Sequence, residues 1–104
     1  MRVMILEDDR WMADLLRQIV HSLRPSAEVQ HFSEVGPAAA SYKRDGYDLV
    51  ISDWNLPGES GLALLQEIRR KDRSTPLVMV TARTDRSSVL AVKSLGASAY
   101  IAKP

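Results

Sequence analysis

The chain has 104 residues, 45% hydrophobic and 26% charged, with a formal net charge of +1, which is the size and makeup of one small globular domain. So even a charge balance gives no case for direct nucleic-acid binding, and the absence of cysteine excludes disulfides and thiolate metal sites. No apolar run approaches the roughly 20 residues of a membrane span, and residues 1–6 turn acidic too soon for a signal peptide, so the expectation is a cytoplasmic protein without membrane contact.

Short apolar runs alternate with amphipathic stretches along the whole chain. Residues 3–6 are a buried run that ends abruptly in Glu7-Asp8-Asp9, as a parallel strand covered on both faces would. Trp11, Leu15, Leu16, Ile19, Val20 and Leu23 then recur at three and four, predicting a helix that packs on that face and that Pro25 stops. Residues 29–32 are a second, partly polar strand suited to a sheet edge. Ser33 or Glu34 opens the next helix, with Pro37 in its first turn, Val35, Ala38, Ala39 and Tyr42 on its inner face and Gly46 at its end.

The third strand, residues 49–52, is the most apolar and terminates in Asp53. Residues 54–61 read as a loop rich in turn formers. Leu62, Leu65 and Ile68 mark a third helix closed by Arg69, Arg70 and Lys71, cations that suit a helix C-terminus. After Thr75-Pro76 comes a fourth strand, residues 77–80, followed by Thr81-Ala82. Val89, Leu90, Val92 and Leu95 carry a fourth helix with Gly96 just past its end. Residues 99–102 are a fifth strand, followed by Lys103-Pro104.

Five strands alternating with four helices mean an α/β domain with a doubly wound parallel sheet and right-handed crossovers, for which the order 2-1-3-4-5 is common. A single domain over 1–104 is expected, without the last helix that such a sheet normally carries. One sheet face should therefore expose apolar side chains near the first and fifth strands.

Ligands of open α/β sheets bind at the carboxyl ends of the strands, near the point where strand order reverses. Here the first strand ends in Glu7-Asp8-Asp9, the third in Asp53, the fourth in Thr81 and the fifth in Lys103. In the expected order the first and third strands are neighbours, so several carboxylates meet in one cleft. Their repulsion must be offset; Lys103 supplies one charge, and a hard divalent cation with oxygen ligands, Mg²⁺, suits the rest better than zinc. Phosphoryl transfer calls for such parts, because its transition state spreads negative charge over several oxygens. Asp53 is the candidate nucleophile, with the Thr81 hydroxyl, Lys103 and the backbone N–H groups after Asp53 as donors.

These residues resemble the receiver domain of response regulators, the CheY-like switch half of two-component signalling, with its flavodoxin-like fold. Carrying the resemblance are Glu7-Asp8, the stretch Asp53-Trp54-Asn55-Leu56-Pro57-Gly58 with Gly61, Thr81-Ala82, and Lys103-Pro104, each at a strand end and in the right order. It implies that Asp53 is the phosphoacceptor and that Mg²⁺ is held by Asp8 and Asp53, by Glu7 through water, and by the backbone carbonyl of Asn55. Thr81 and Lys103 would contact the phosphoryl group, and Thr81 would swing inward on activation while Tyr100 turns with it. The Lys103–Pro104 bond resembles the family's cis peptide, and Arg83 falls where the family tunes the lifetime of the phosphorylated state. The expected partners are a histidine kinase or phosphotransfer protein and a downstream output domain or protein, with a homodimer linked to phosphorylation.

Plainer roles stand beside these. Asp9 complements a helix dipole, Thr81 can cap the fourth helix, Tyr100 can be a half-buried strand aromatic, and Trp54 is either an exposed partner contact or a cover over the site. His21 and His31 read as surface or packing residues. A phosphatase using an aspartyl phosphate usually shows Asp-x-Asp, the second acid protonating the leaving group; Asn55 stands there instead. A phosphorylation-independent binding module of the same fold is the other alternative, and loss of Asp8, Asp53 or Lys103 would favour it; all three are present. No glycine-rich nucleotide-binding pattern occurs.

Overall fold

The structure is a computed structural model that describes residues 1–103; the Lys103–Pro104 bond lies outside the described residues. In chain order the elements are β1 (Arg2–Leu6), α1 (Arg10–Leu23), β2 (Glu28–Phe32), α2 (Val35–Asp45), β3 (Leu49–Ser52), β4 (Asn55–Leu56), β5 (Glu59–Ser60), α3 (Leu62–Arg69), β6 (Leu77–Thr81), α4 (Arg86–Ser94) and β7 (Ala99–Ala102). Five strands pair in parallel in the order β2-β1-β3-β6-β7. That is the expected 2-1-3-4-5 once β4 and β5 are set aside, which form a separate antiparallel ribbon. The sequence reads as loop there because two-residue strands carry no periodicity. Pro57 and Gly58 make the turn between them, and Gly58 takes a φ of +74°, a conformation open to glycine at no steric cost.

Alternation along each strand divides the core between the two sheet faces. Met4, Leu6, Val50, Leu77 and Met79 pack with residues of α2, α3 and α4. Val3, Ile5, Ile51 and Val80 pack with Ala13 and Val20 of α1. The central strands thus bury both faces, which is why they read as continuous apolar runs.

The α1 stripe needs correction. Val20 is buried, but Trp11 is 67% exposed, Ile19 47% and Leu23 76%, whereas Met12 and Ala13 are in the core. The apolar stripe of α1 is wider than the face the sheet covers, and its buried centre lies on the side of Met12, Ala13 and Val20. On its other side Leu15, Leu16 and Ile19 border an open apolar groove of about 270 Å³ whose floor is Ile51, Val78, Val80 and Ile101; the exposed sheet face expected near the first and fifth strands thus lies over β3, β6 and β7, while Val3 and Ile5 of β1 are fully buried. On α4, Leu90 is likewise exposed, as is Leu95 just past its end, and Val92 is fully buried.

Two polar fastenings hold the sheet's far end. The Arg69 guanidinium donates to the carbonyls of Gly96 (2.8 Å), Asp72 (3.0 Å) and Thr75 (2.7 Å), tying α3 to the turns before β6 and β7. The Asp72 carboxylate accepts from the Ser74 and Thr75 N–H groups and from the Tyr42 and Thr75 hydroxyls. Those hydrogen bonds, Thr75 and Tyr42 foremost, hold its carboxyl well below the usual carboxylate range.

Candidate functional site

Backbone pairing beyond the strand ends assembles the site. The Asp53 N–H donates to the Leu6 carbonyl at 2.9 Å, bringing the end of β3 beside the end of β1. The Lys103 N–H donates to the Thr81 carbonyl at 2.9 Å, doing the same for β7 and β6. Parallel strands in register therefore carry Glu7, Asp53, Thr81 and Lys103 to one edge of the sheet. The loop after Asp53 folds back tightly. Gly61 donates to the Trp54 carbonyl at 2.7 Å, and a Cβ on residue 61 would lie 1.7 Å from the Asp53 carbonyl oxygen. Only glycine permits that approach.

Asp53 is buried, and both of its carboxylate oxygens are engaged. Oδ1 accepts from the N–H groups of Trp54 (2.6 Å) and Asn55 (3.4 Å), and Oδ2 accepts from Lys103 Nζ at 2.7 Å. The same ammonium lies 2.7 Å from Glu7 Oε1, so one lysine bridges two buried acids. Glu7, Asp8 and Asp53 each offer an oxygen within 4.8 Å of the others. Asp8 is exposed at the mouth, and Glu7 is 1% exposed.

The magnitudes show what the lysine leaves undone. At an effective dielectric of about 20, each carboxylate pair at this spacing repels by roughly 3 kcal/mol and each lysine contact returns roughly 6 kcal/mol. Desolvating the buried ions costs several kcal/mol apiece, and three carboxylates against one ammonium leave two negative charges. The under-compensation is visible in Glu7: burial pushes its carboxyl up and the Asp53 charge adds to this, against hydrogen bonds from Lys103 and from the Asp9 N–H. On Lys103, partial burial pulls downward, but the hydrogen bonds to Asp53 and Glu7 outweigh it and hold the ammonium above its ordinary value. An oxygen-only donor set with two surplus negative charges fits a hard dication such as Mg²⁺.

Around this pocket the other sequence-predicted residues take distinct places. Thr81 is fully buried at the end of β6, its Oγ1 accepting from the Arg83 N–H at 3.4 Å. Asn55 is exposed on β4, its side-chain oxygen accepting from Arg83 Nε at 3.3 Å. Tyr100 is half-buried on β7, paired with Met79, and its hydroxyl donates to the Arg83 carbonyl. Trp54 is half-buried, with the Arg83 guanidinium 4.5 Å above its ring, within cation–π range. Arg83 thereby links the loop after Asp53 to β7, a role its sequence position does not reveal. Asp9 caps α1 through the N–H groups of Trp11 and Met12. His31, read as a surface or packing residue, is half-buried with its Nε2 2.7 Å from the Glu7 carbonyl oxygen.

Fold and site together define a flavodoxin-like α/β domain whose acidic pocket is closed by a single lysine. The sequence model described as the response regulator receiver domain matches residues 3–104. The transcriptional regulatory protein RprY of Bacteroides fragilis is 33% identical over 104 residues, an alignment covering 100% of this chain and 43% of that protein. Chemotaxis protein CheY-3 of Vibrio cholerae is 28% identical over 106 residues, covering 100% of this chain and 81% of the other. The solved signal receiver domain of a putative Luxo repressor protein from Vibrio parahaemolyticus superposes with a TM-score of 0.89 at 28% identity, over 99% of this chain and 78% of that one. The chain belongs to the response regulator receiver domain family. Phosphorylation-dependent switching in two-component signalling is that family's general role, and receiver domains bind Mg²⁺ at an acidic pocket; this chain has the acidic cluster Glu7, Asp8 and Asp53 at that place. No helix among the described residues is long and apolar enough to cross a membrane.

Proposed function

We propose that this chain, acting as one receiver unit, accepts a phosphoryl group on Asp53 from the phosphohistidine of a histidine kinase or phosphotransfer protein. The carrying observation is the pair of contacts on Asp53: backbone N–H groups on one oxygen and the Lys103 ammonium, shared with Glu7, on the other. A carboxylate so held is oriented before the donor arrives. Its oxygen attacks phosphorus, the phosphorus–nitrogen bond breaks, and the electron pair leaves with the imidazole, which takes up a proton. Asp8, Asp53 and the Asn55 carbonyl would hold Mg²⁺ directly, with Glu7 acting through water. The bound ion would supply positive charge for the phosphoryl oxygens. Lys103 serves another of those oxygens as the charge leaves the carboxylate, and the buried Thr81 hydroxyl, at the same edge, is the donor for a third. Water later attacks the acyl phosphate and restores the free carboxylate, so the domain assists its own phosphorylation and dephosphorylation without being a classical enzyme.

The output follows from the same bonds. Phosphorylation adds roughly one to two negative charges at one end of the sheet. Movement of Thr81 toward that charge pulls the segment holding Arg83, which bonds the Tyr100 hydroxyl and stacks on Trp54. The surface formed by α4 and β7 then shifts between two populations. A downstream output domain or protein reads that surface, as does a second copy in a phosphorylation-linked homodimer. The test is Asp53→Asn, which should abolish incorporation of labelled phosphate from a small acyl phosphate while the circular dichroism spectrum stays unchanged. Undiminished labelling of the variant would overturn the assignment.

A further inference from the structure

We propose that His31 is a positioning residue for the metal-binding acids: it fixes the peptide plane between Glu7 and Asp8 and so aims Asp8 at Asp53. The inference rests on the Mg²⁺-dependent reading of the pocket. A carbonyl can only accept, so the 2.7 Å contact between His31 Nε2 and the Glu7 oxygen is an N–H donated by the imidazole. The register explains how it forms. His31 pairs with Ile5 across β1 and β2, and the Glu7 N–H donates to the Phe32 carbonyl at 2.9 Å, continuing the ladder one residue past the end of β1. Residue 7 is thus held on β2 at both its N–H and its carbonyl.

On the other side of Asp8, the Asp9 N–H donates to Glu7 Oε2 at 3.1 Å, and the Asp9 carboxylate caps α1. Asp8 is the one exposed acid of the three, and it sits between two anchored neighbours. Its own burial does nothing to hold it; the torsions flanking its peptide do. Glu7 is clamped separately by Lys103. Loss of the His31 hydrogen bond therefore frees the Glu7–Asp8 peptide to rotate without unpacking Glu7. Partners that orient metal ligands in this way are commonly worth tenfold or more in metal affinity.

Mg²⁺ titrations followed by tryptophan fluorescence, with metal-free thermal midpoints measured alongside, test the assignment. His31→Phe keeps a ring but loses the donor. It should weaken the apparent Mg²⁺ affinity about tenfold while lowering the metal-free midpoint only by the several degrees that one lost hydrogen bond costs, and saturating Mg²⁺ should restore its phosphorylation rate. His31→Gln places an amide N–H where Nε2 was and should recover most of the affinity; His31→Asn, whose amide reaches only the Nδ1 position, should not. Wild-type Mg²⁺ affinity in a folded His31→Phe, or equal affinities for the Gln and Asn variants, would overturn the role. If the Phe variant fails to fold, the Gln and Asn pair decides. Absence of any Mg²⁺ response in the wild-type protein would instead sink the metal reading and this inference with it.

Discussion

Gly61→Ala puts a methyl carbon 1.7 Å from the Asp53 carbonyl oxygen and 3.0 Å from Ser52 Oγ. To reach even 3.0 Å from that oxygen, residue 61 and the carbonyl must separate by about 1.3 Å. The strand side is the stiffer partner, because the Asp53 N–H is bonded to Leu6 and its carbonyl accepts from Ser52 Oγ at 2.9 Å. The loop of residues 54–61 therefore moves, carrying the Trp54 and Asn55 N–H groups that hold Asp53 Oδ1. Misplacing a reacting group by about 1 Å costs on the order of 100-fold in rate, and overpacking costs about 1–3 kcal/mol of stability. Gly61→Ala should thus stay folded yet take up labelled phosphate from an acyl phosphate about 100-fold more slowly than wild type. Gly36→Ala is the control: nothing lies within 4 Å of its added carbon, and in the first turn of α2 it should stabilise the domain by up to about 1 kcal/mol at unchanged rate. Wild-type labelling by Gly61→Ala would refute the argument that this loop geometry prepares Asp53.

Three further substitutions probe separate parts. Lys103→Met leaves Glu7 and Asp53 facing each other without a cation and should lower metal-free stability by about 3 kcal/mol; urea unfolding with and without Mg²⁺ should show the ion recovering more stability in the variant than in wild type. Asp72→Asn should lower the thermal midpoint at neutral pH. Because the folded carboxyl titrates below its ordinary value, its stabilisation is present above about pH 4 and fades as pH falls through the folded value, so the midpoints should converge in acid. Arg69→Met keeps an apolar stem but strands three carbonyl acceptors. It should cost about 2–4 kcal/mol, measured by chemical denaturation; a loss below about 0.5 kcal/mol would show that these bonds are replaced by water.

The sheet was legible because its strands are short apolar runs punctuated by charges, and strand order followed from the alternation with helices. The acids and the lysine could be gathered in one cleft on paper because parallel strands end on one edge. What escaped depended on distances that sequence spacing does not encode. The β4–β5 ribbon is too short to show a period, and the buried face of α1 is offset within a broader apolar stripe, so spacing alone points to Trp11 and Ile19 as internal rather than to Met12 and Ala13. Arg69 read only as a helix-end cation, since its three carbonyl partners come from other turns. His31 is one polar residue on a partly polar strand; its hydrogen bond to Glu7 emerges only from the β1–β2 register. Gly61 was visible as part of a motif, but its close approach to Asp53 was not.

The central claim is that Asp53 takes the phosphoryl group in a pocket that needs Mg²⁺. Reductive trapping of the acyl phosphate with borohydride, followed by peptide mass spectrometry, locates the modified carboxylate directly. The account predicts conversion at residue 53 in the presence of a phosphodonor and Mg²⁺, and almost none with a chelator. Modification at another carboxylate, or equal conversion at Asp53 without the metal, would contradict it.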